Sequence, residues 1–234
     1  MSAAIAIFAK APVAGQVKTR LVPPLSPEEA AAVARACLEA TLRRFVPALE
    51  APVTLFLDGE ADGALRALAG SLGVEIAAQV GADLGARLEA AFRLLRAGGA
   101  GRTVAVGSDS PTLDPAWVAQ AVGSLEKHDV VVGPAEDGGY YLIGLRAEAP
   151  ELFRDIPWST DRVAEATLAR ANALGLAVDV LPAWYDVDDI PTLRRALADG
   201  GELFPESIHR LVGDRASAVT GQNPPTPRPL SPAR

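Results

Sequence analysis

Hydrophobic positions along this chain of 234 residues fall into short apolar runs separated by longer stretches with helical spacing. The runs at 5–9, 53–57, 74–78, 104–107, 130–133, 141–145 and 178–181 read as strands. Some are continuously apolar rather than alternating, the pattern of strands covered on both faces. The clearest helix lies between the first two strands. Ser26-Pro27-Glu28-Glu29 supplies an N-cap serine, a proline at the first helical position and a glutamate that completes a capping box. Apolar or small residues then recur at Ala30, Val33, Ala34, Cys37, Leu38, Thr41, Leu42 and Phe45. Further helices are predicted at 64–72, 83–95, 115–127, 160–174 and 191–198. Strand–helix alternation implies an α/β fold, a three-layer domain around a mostly parallel sheet. Residues 1–213 are predicted to form this one domain. From about Asp214 the chain has little to bury, and five of its last eleven residues are proline (224, 225, 227, 229 and 232). Residues 214–234 are therefore expected to form a disordered tail.

Composition narrows the functions open to such a domain. Hydrophobic residues make up 49% and charged residues 22%, an ordinary globular balance. A formal net charge of -7 gives no global attraction to nucleic acid or to an anionic membrane. One cysteine, Cys37, excludes a disulfide within the chain. Adding His128 and His209 still leaves too few ligands for a Cys/His zinc site, and neither histidine has the setting of a Ser-His-Asp triad. No apolar run reaches the roughly 18 residues that span a bilayer. The apolar stretch 2–9 lacks a basic leader region and runs straight into Lys10, so it reads as a buried strand and the protein as cytoplasmic. Oligomeric state is left open.

Charge is unevenly placed. Residues 1–27 hold three bases (Lys10, Lys18, Arg20) and no acid, all within the segment Lys10-Ala-Pro-Val-Ala-Gly-Gln-Val-Lys18-Thr-Arg20. A loop directly after the first strand lies at the carboxyl edge of the sheet, where ligands usually bind. Gly15 permits close backbone approach there, and lysine and arginine suit phosphate oxygens. Walker A and G-x-G-x-x-G patterns are both missing, which disfavours a P-loop and a dinucleotide cofactor. A second signal is Val104-Ala-Val-Gly-Ser-Asp109-Ser-Pro111, an apolar strand ending in an acid held by a turn. That carboxylate can meet Mg²⁺ or Mn²⁺, which take few protein oxygens plus substrate phosphates, or it can simply hold the turn.

Two further segments carry acids beside aromatics. Gly133-Pro-Ala-Glu136-Asp137-Gly138-Gly139-Tyr140 places two acids before a glycine pair, a pattern that also describes a tight connection. Trp184-Tyr-Asp186-Val-Asp188-Asp189 brackets one apolar residue with three carboxylates, so two could face a shared cation, while Asp189 alone suits the cap of a helix near Pro191. Of six tryptophans and tyrosines, five fall at Tyr140, Tyr141, Trp158, Trp184 and Tyr185. Aromatics at strand edges commonly line small-molecule pockets. Basic loop, edge aspartate and late aspartate cluster together describe a site that holds a nucleotide's phosphates between cationic side chains and a divalent metal.

These motifs resemble a bacterial family with the GT-A fold, also called the nucleotide-diphospho-sugar transferase fold, labelled arsenosugar-biosynthesis-associated glycosyltransferases. The resemblance runs from about residue 5 to 197. It rests on Phe8-Ala-Lys-Ala-Pro with Gly15, Val17-Lys-Thr-Arg-Leu21, Asp83-Leu-Gly-Ala-Arg-Leu88, Gly107-Ser-Asp-Ser-Pro111, 133–140 and Ile156-Pro-Trp158. The Lys18-Thr19-Arg20-Leu21 segment is also similar to a loop of 2-phospholactate guanylyltransferases, and molybdenum-cofactor guanylyltransferases share the fold. The resemblance implies that Asp109 and Asp188, or Asp186, hold Mg²⁺ or Mn²⁺. It places Lys10, Gly15, Lys18, Thr19, Arg20 and Arg87 around the phosphates. Glu136, Gly138, Gly139, Tyr140 and Trp158 would meet sugar or acceptor, with Asp137 as general base. Lys18 and Asp109 would serve catalysis. Glycosyltransferases of this fold usually carry Asp-x-Asp, whereas here Ser108-Asp109-Ser110 has one aspartate.

Three functions follow. The leading one is a metal-dependent glycosyltransferase taking a nucleotide sugar and a small-molecule acceptor. The alternative is a nucleotidylyltransferase joining an NTP to a small phosphorylated or carboxylated acceptor with release of pyrophosphate. The third is a non-catalytic nucleotide-binding module. Against the third stands a physical cost, since Asp109 and Asp188 destabilise one another if they sit close without a cation between them.

Overall fold

The computed structural model describes residues 2–219. Each apolar run forms a strand: β1 (Ala3–Lys10), β2 (Val53–Asp58), β3 (Glu75–Ala78), β4 (Arg102–Gly107), β5 (Val130–Pro134), β6 (Tyr140–Leu145) and β7 (Val178–Val180). They join in one sheet of order β3-β2-β1-β4-β6-β5-β7. β1 pairs in parallel with β2 and β4, β2 with β3, and β5 with β7. β6 runs antiparallel between β4 and β5, because the hairpin at 135–139 is too short for a crossover helix. The expected three-layer, mostly parallel α/β fold is therefore present.

Helices α1 (Pro27–Ala48), α2 (Gly63–Ser71) and α4 (Pro115–Ser124) cover one face of the sheet, and α3 (Leu84–Ala97) and α5 (Val163–Ala173) the other. β1 shows how a continuously apolar strand serves both. Ile5, Ile7 and Ala9 pack with Leu38, Leu42, Leu65 and Val118, while Ala6, pointing the other way, packs with Leu88, Phe92 and Ala171. The capping box of α1 is formed: Ser26 Oγ accepts the Glu29 N–H at 3.2 Å and Glu29 Oε2 accepts the Ser26 N–H at 2.7 Å.

A third cluster seals the end of the chain. Helices α6 (Ile190–Gly200) and α7 (Glu206–Val219) bring Leu193, Ala196 and Ile208 against Leu21, Val33 and Cys37, with Tyr185 and Val187 between them. The boundary at 213 expected from composition falls within α7, which Ile208 anchors in this cluster. The rest of the proline-rich segment, 220–234, lies outside the described residues. Among the described residues, no helix is long and apolar enough to cross a membrane.

Asp129 ties the far edge of the sheet together. Its Oδ2 accepts the Ala177 N–H at 2.9 Å, its Oδ1 accepts from Arg146, and its carbonyl accepts the Arg146 N–H at 2.9 Å. The Ala177 N–H, with Arg146 behind it, holds this carboxyl below the usual carboxylate range. A depressed folded-state pKa stabilises above the ordinary carboxylate pKa, and that stability is lost as pH falls through the depressed value. Asp129→Ala should therefore cost about 1–2 kcal/mol at pH 7 by urea denaturation. The gap to wild type should shrink as the pH is lowered below about 4.

Candidate functional site

Because β1, β2, β3 and β4 run the same way, their carboxyl ends share one edge, and the chemistry gathers there. β1 delivers Lys10, and the following loop turns at Gly15, whose φ of 77° lies in the left-handed region that suits glycine. Lys18 adopts the same region (φ 49°, ψ 39°) at the start of a short 3-10 helix, Thr19–Leu21. From this backbone its side chain turns inward, 5% exposed. Its Nζ donates to Asp188 Oδ1 at 3.1 Å and pairs with Asp109 Oδ1. Arg20, at the surface, lies 3.6 Å from Asp188 Oδ2.

Three loops are thus joined at one ammonium, and backbone bonds lock them. The Ser108 N–H donates to the Phe8 carbonyl at 3.0 Å, and the Val187 N–H donates to the Asp109 carbonyl at 2.8 Å. The Ser110 hydroxyl donates to Asp186. Asp189 caps α6 by accepting the Thr192 N–H at 2.8 Å. Burial alone would lower the Lys18 pKa, but the groups around it, Asp109 first and then Cys37 and Asp188, together raise it. Burial and then the Asp109 charge push the Asp186 carboxyl up to about 7, against the Ser110 hydrogen bond.

These groups form one side of a cavity of about 630 Å³. Its lining includes Lys10, Lys18, Thr19, Arg87, Asp109, Tyr140, Asp186 and Asp188 of the predicted site residues. On the opposite side Arg87 Nη1 donates to Asp58 Oδ2 at 2.7 Å and to Gln79 Oε1 at 3.3 Å. Gln79 Nε2 in turn donates to the carbonyls of Ala9 and Phe56 at 2.9 and 3.0 Å. Tyr140 lines the cavity with Leu88 and Ile143, and its hydroxyl is buried without a hydrogen-bond partner, so burial pushes its ionisation upward. Asp58 and Gln79 fall in no sequence motif, and Asp83 opens the 83–88 motif but carries no predicted site role. The signal for the first two was present, since Asp58 ends β2 and Gln79 follows β3 at the same edge as Lys10.

The remaining predicted residues stand outside the lining. Gly15 and Arg20 lie on the outer part of the basic loop. Glu136 pairs with Arg195 at 2.8 Å, and Asp137 Oδ1 accepts the Gly139 N–H at 2.9 Å, which holds the hairpin between β5 and β6. Gly138 has a φ of 89°, and its carbonyl accepts the Ala164 N–H at 2.9 Å. Trp158 lies on Gly85, where an added Cβ would sit 2.6 Å from the indole, and meets Tyr140 edge-on at 6.4 Å. Tyr185 is buried, with its hydroxyl bonded to Asp199 at 2.8 Å. Among the described residues, no group of three or more His, Cys, Asp or Glu side chains is arranged to hold a metal ion.

Residues 41–160 match the profile of a family described as "Uncharacterized protein conserved in bacteria (DUF2064)". No curated protein matches the chain. Among solved structures, a protein of Desulfovibrio desulfuricans G20, provisionally named a nucleotide-diphospho-sugar transferase, is similar at 30% identity and a TM-score of 0.80, over 94% of this chain and 98% of its own. A cytidylyltransferase of Leptospira borgpetersenii shares the fold at 15% identity and a TM-score of 0.54, over 97% and 100% of the two chains. So does Rv0371c of Mycobacterium tuberculosis H37Rv, solved in complex with manganese, at 20% identity and a TM-score of 0.52, over 85% and 99%.

The hairpin at 135–139 has a sharp steric requirement. A Cβ on Gly138 would lie 1.9 Å from the Asp161 carbonyl oxygen, in a backbone region that already disfavours side chains. Gly138→Ala should destabilise the protein by about 2–3 kcal/mol or more. Thermal melting checks this, with a near-normal melting temperature as the contrary result.

Proposed function

From the membership of this chain in the DUF2064 family and its seven-stranded transferase-like fold, we propose a metal-dependent transferase acting on a nucleotide diphosphate group, a glycosyltransferase with a nucleotide-sugar donor and a small-molecule acceptor. The carrying observation is the 630 Å³ cavity at the carboxyl edge, with Asp109, Asp186 and Asp188 on one side and Asp58, Gln79 and Arg87 on the other. A cavity of this size suits a small molecule, and its mix of acids and cations suits a phosphorylated one. The relative provisionally named a nucleotide-diphospho-sugar transferase supports this reading, as does the motif resemblance to arsenosugar-associated glycosyltransferases.

The donor set fits a divalent ion. Asp109 and Asp188 are close enough to share one ammonium, Asp186 adjoins them, and all three offer the hard oxygens that Mg²⁺ and Mn²⁺ take. With fewer than three acids converging tightly, the remaining ligands fall to substrate phosphates and water, the usual arrangement for Mg²⁺. When bound, such an ion supplies positive charge to diphosphate oxygens. The chain's own cations do the rest. Lys10, exposed at the cavity wall, and Arg20, at its rim, meet the phosphates as the nucleotide leaves, and Arg87 orients the donor from the opposite side. Tyr140 shields the acceptor side of the cavity.

One observation favours a second reading. The β4 edge contributes a single aspartate, Asp109, and the other acids come from the late loop rather than from an Asp-x-Asp pair. That division suits a nucleotidylyltransferase, in which an acceptor oxygen attacks the α-phosphate of an NTP and pyrophosphate leaves.

A thermal-shift titration with NTPs and nucleotide sugars, with and without Mn²⁺, separates the readings. Ligand at 100 times its Kd adds about 2.7 kcal/mol of stability. For a chain of this size that is about 5–10 °C. A larger Mn²⁺-dependent shift with a nucleotide sugar supports glycosyl transfer, a shift confined to one NTP supports nucleotidylyl transfer, and no shift with any of them overturns both. Arg87→Ala should weaken the preferred nucleotide by about tenfold or more. Its half-exposed ion pair with Asp58 should add less than about 1 kcal/mol to stability, so folding should persist.

A further inference from the structure

The basic loop contains a lysine that its motif assigns to phosphate and that the fold employs otherwise. Lys18 is 5% exposed, while the carboxylates it joins, Asp109 and Asp188, are 51% and 35% exposed at the cavity. Lys18 reaches the cavity wall, but most of its side chain is covered, while the two carboxylates keep open surface there. The ammonium engages the Oδ1 atom of each, so the two carboxylates are fixed relative to one another from the protein side. The backbone is committed to this placement, since Lys18 holds a left-handed conformation that residues with a side chain adopt at a cost.

We propose that Lys18 is a positioning residue for the Asp109–Asp188 pair and makes no contact with the phosphates. This rests on the reading of Asp109 and Asp188 as metal-holding acids given above. Without the ammonium, two like charges at one edge repel and splay, and the pair loses the spacing that a shared cation needs. With it, the carboxylates are preset before metal or nucleotide arrives, as outer partners preset the ligands of other metal sites. Phosphate binding is left to the more exposed cation of the lining, Lys10.

The test separates metal affinity from nucleotide affinity. In Lys18→Met, Mn²⁺ affinity, read from the electron paramagnetic resonance of the free ion, should fall by about 10–100-fold. Affinity for GDP and UDP in EDTA should stay within about twofold of wild type, because no phosphate contact is removed. Weaker metal-free binding of GDP or UDP would return Lys18 to the phosphates, and unchanged or tighter Mn²⁺ binding would overturn the positioning role. If wild type binds no Mn²⁺ with or without nucleotide, the metal reading fails as well, an outcome distinct from unaltered binding in the variant. A measurement on wild type covers the case in which the variant does not fold. The chain has three lysines, Lys10, Lys18 and Lys127, so ¹⁵N-lysine labelling gives three ammonium resonances to assign. Metal-free GDP or UDP should move the Lys10 signal and leave that of Lys18 in place. Equal movement of the two would overturn the proposal.

Discussion

Three carboxylates brought to one edge of a sheet need a positive charge among them, and the arrangement of this site follows from where that charge is held. Asp109 comes from the end of β4, and Asp186 and Asp188 from the loop before α6. Left alone they would repel, and the partial burial of Asp186 would make the repulsion worse. Lys18, carried in from the loop after β1, meets Asp109 and Asp188 together. A buried ion pair is often a poor source of net stability, since desolvation opposes the attraction. Here its larger effect is geometric: one side chain sets the spacing of three segments far apart in sequence.

The scaffold makes that convergence possible. Parallel pairing of β1 with β2 and β4 sends all three loops to the same edge, and the reversal of strand order beside β1 opens a crevice there. The late loop is then fastened twice. The Val187 N–H bonds the Asp109 carbonyl, and the Val187 side chain is buried beside Tyr185 in the cluster under α1, α6 and α7. The alternating pattern Tyr185–Asp186–Val187–Asp188 therefore has a simple meaning. Its odd members enter a core, and its even members face Ser110 and Lys18.

Much of the frame was legible in residue patterns because its causes are local. The capping box at Ser26, the cap at Asp189 and the apolar strands each depend on a few neighbouring residues. The site was legible in part for the same reason: strand ends in a parallel sheet share an edge, which brings Lys10 and Asp109 together without any knowledge of packing. Lys18 was legible as part of the basic loop at this edge and not in its direction, since the inward turn depends on a left-handed backbone and on acids contributed by distant segments. Asp137 and Gly138 show the opposite limit. Their motif is as dense as a binding loop, yet an Asx-type bond to Gly139 and close contact with Asp161 describe a hairpin under steric constraint. Trp158 likewise covers Gly85, a packing partner remote in sequence.

The cavity's two sides differ in how firmly their charges are held, and that difference bears on how a ligand would enter. On the Lys18 side, the cation is buried and the exposed surface is carboxylate, so this wall presents negative charge to the cavity. On the other side, Arg87 is engaged by Asp58 and Gln79, and Gln79 is anchored to the carbonyls at the ends of β1 and β2. A polyphosphate alone would be repelled by the first wall and would find a partly neutralised guanidinium at the second. A polyphosphate arriving with a divalent cation meets neither difficulty, because the cation answers the carboxylates while the phosphates answer Lys10 and Arg87. On the proposed reading, the charge layout thus favours joint entry of metal and nucleotide over the entry of either alone, for glycosyl and nucleotidylyl transfer alike.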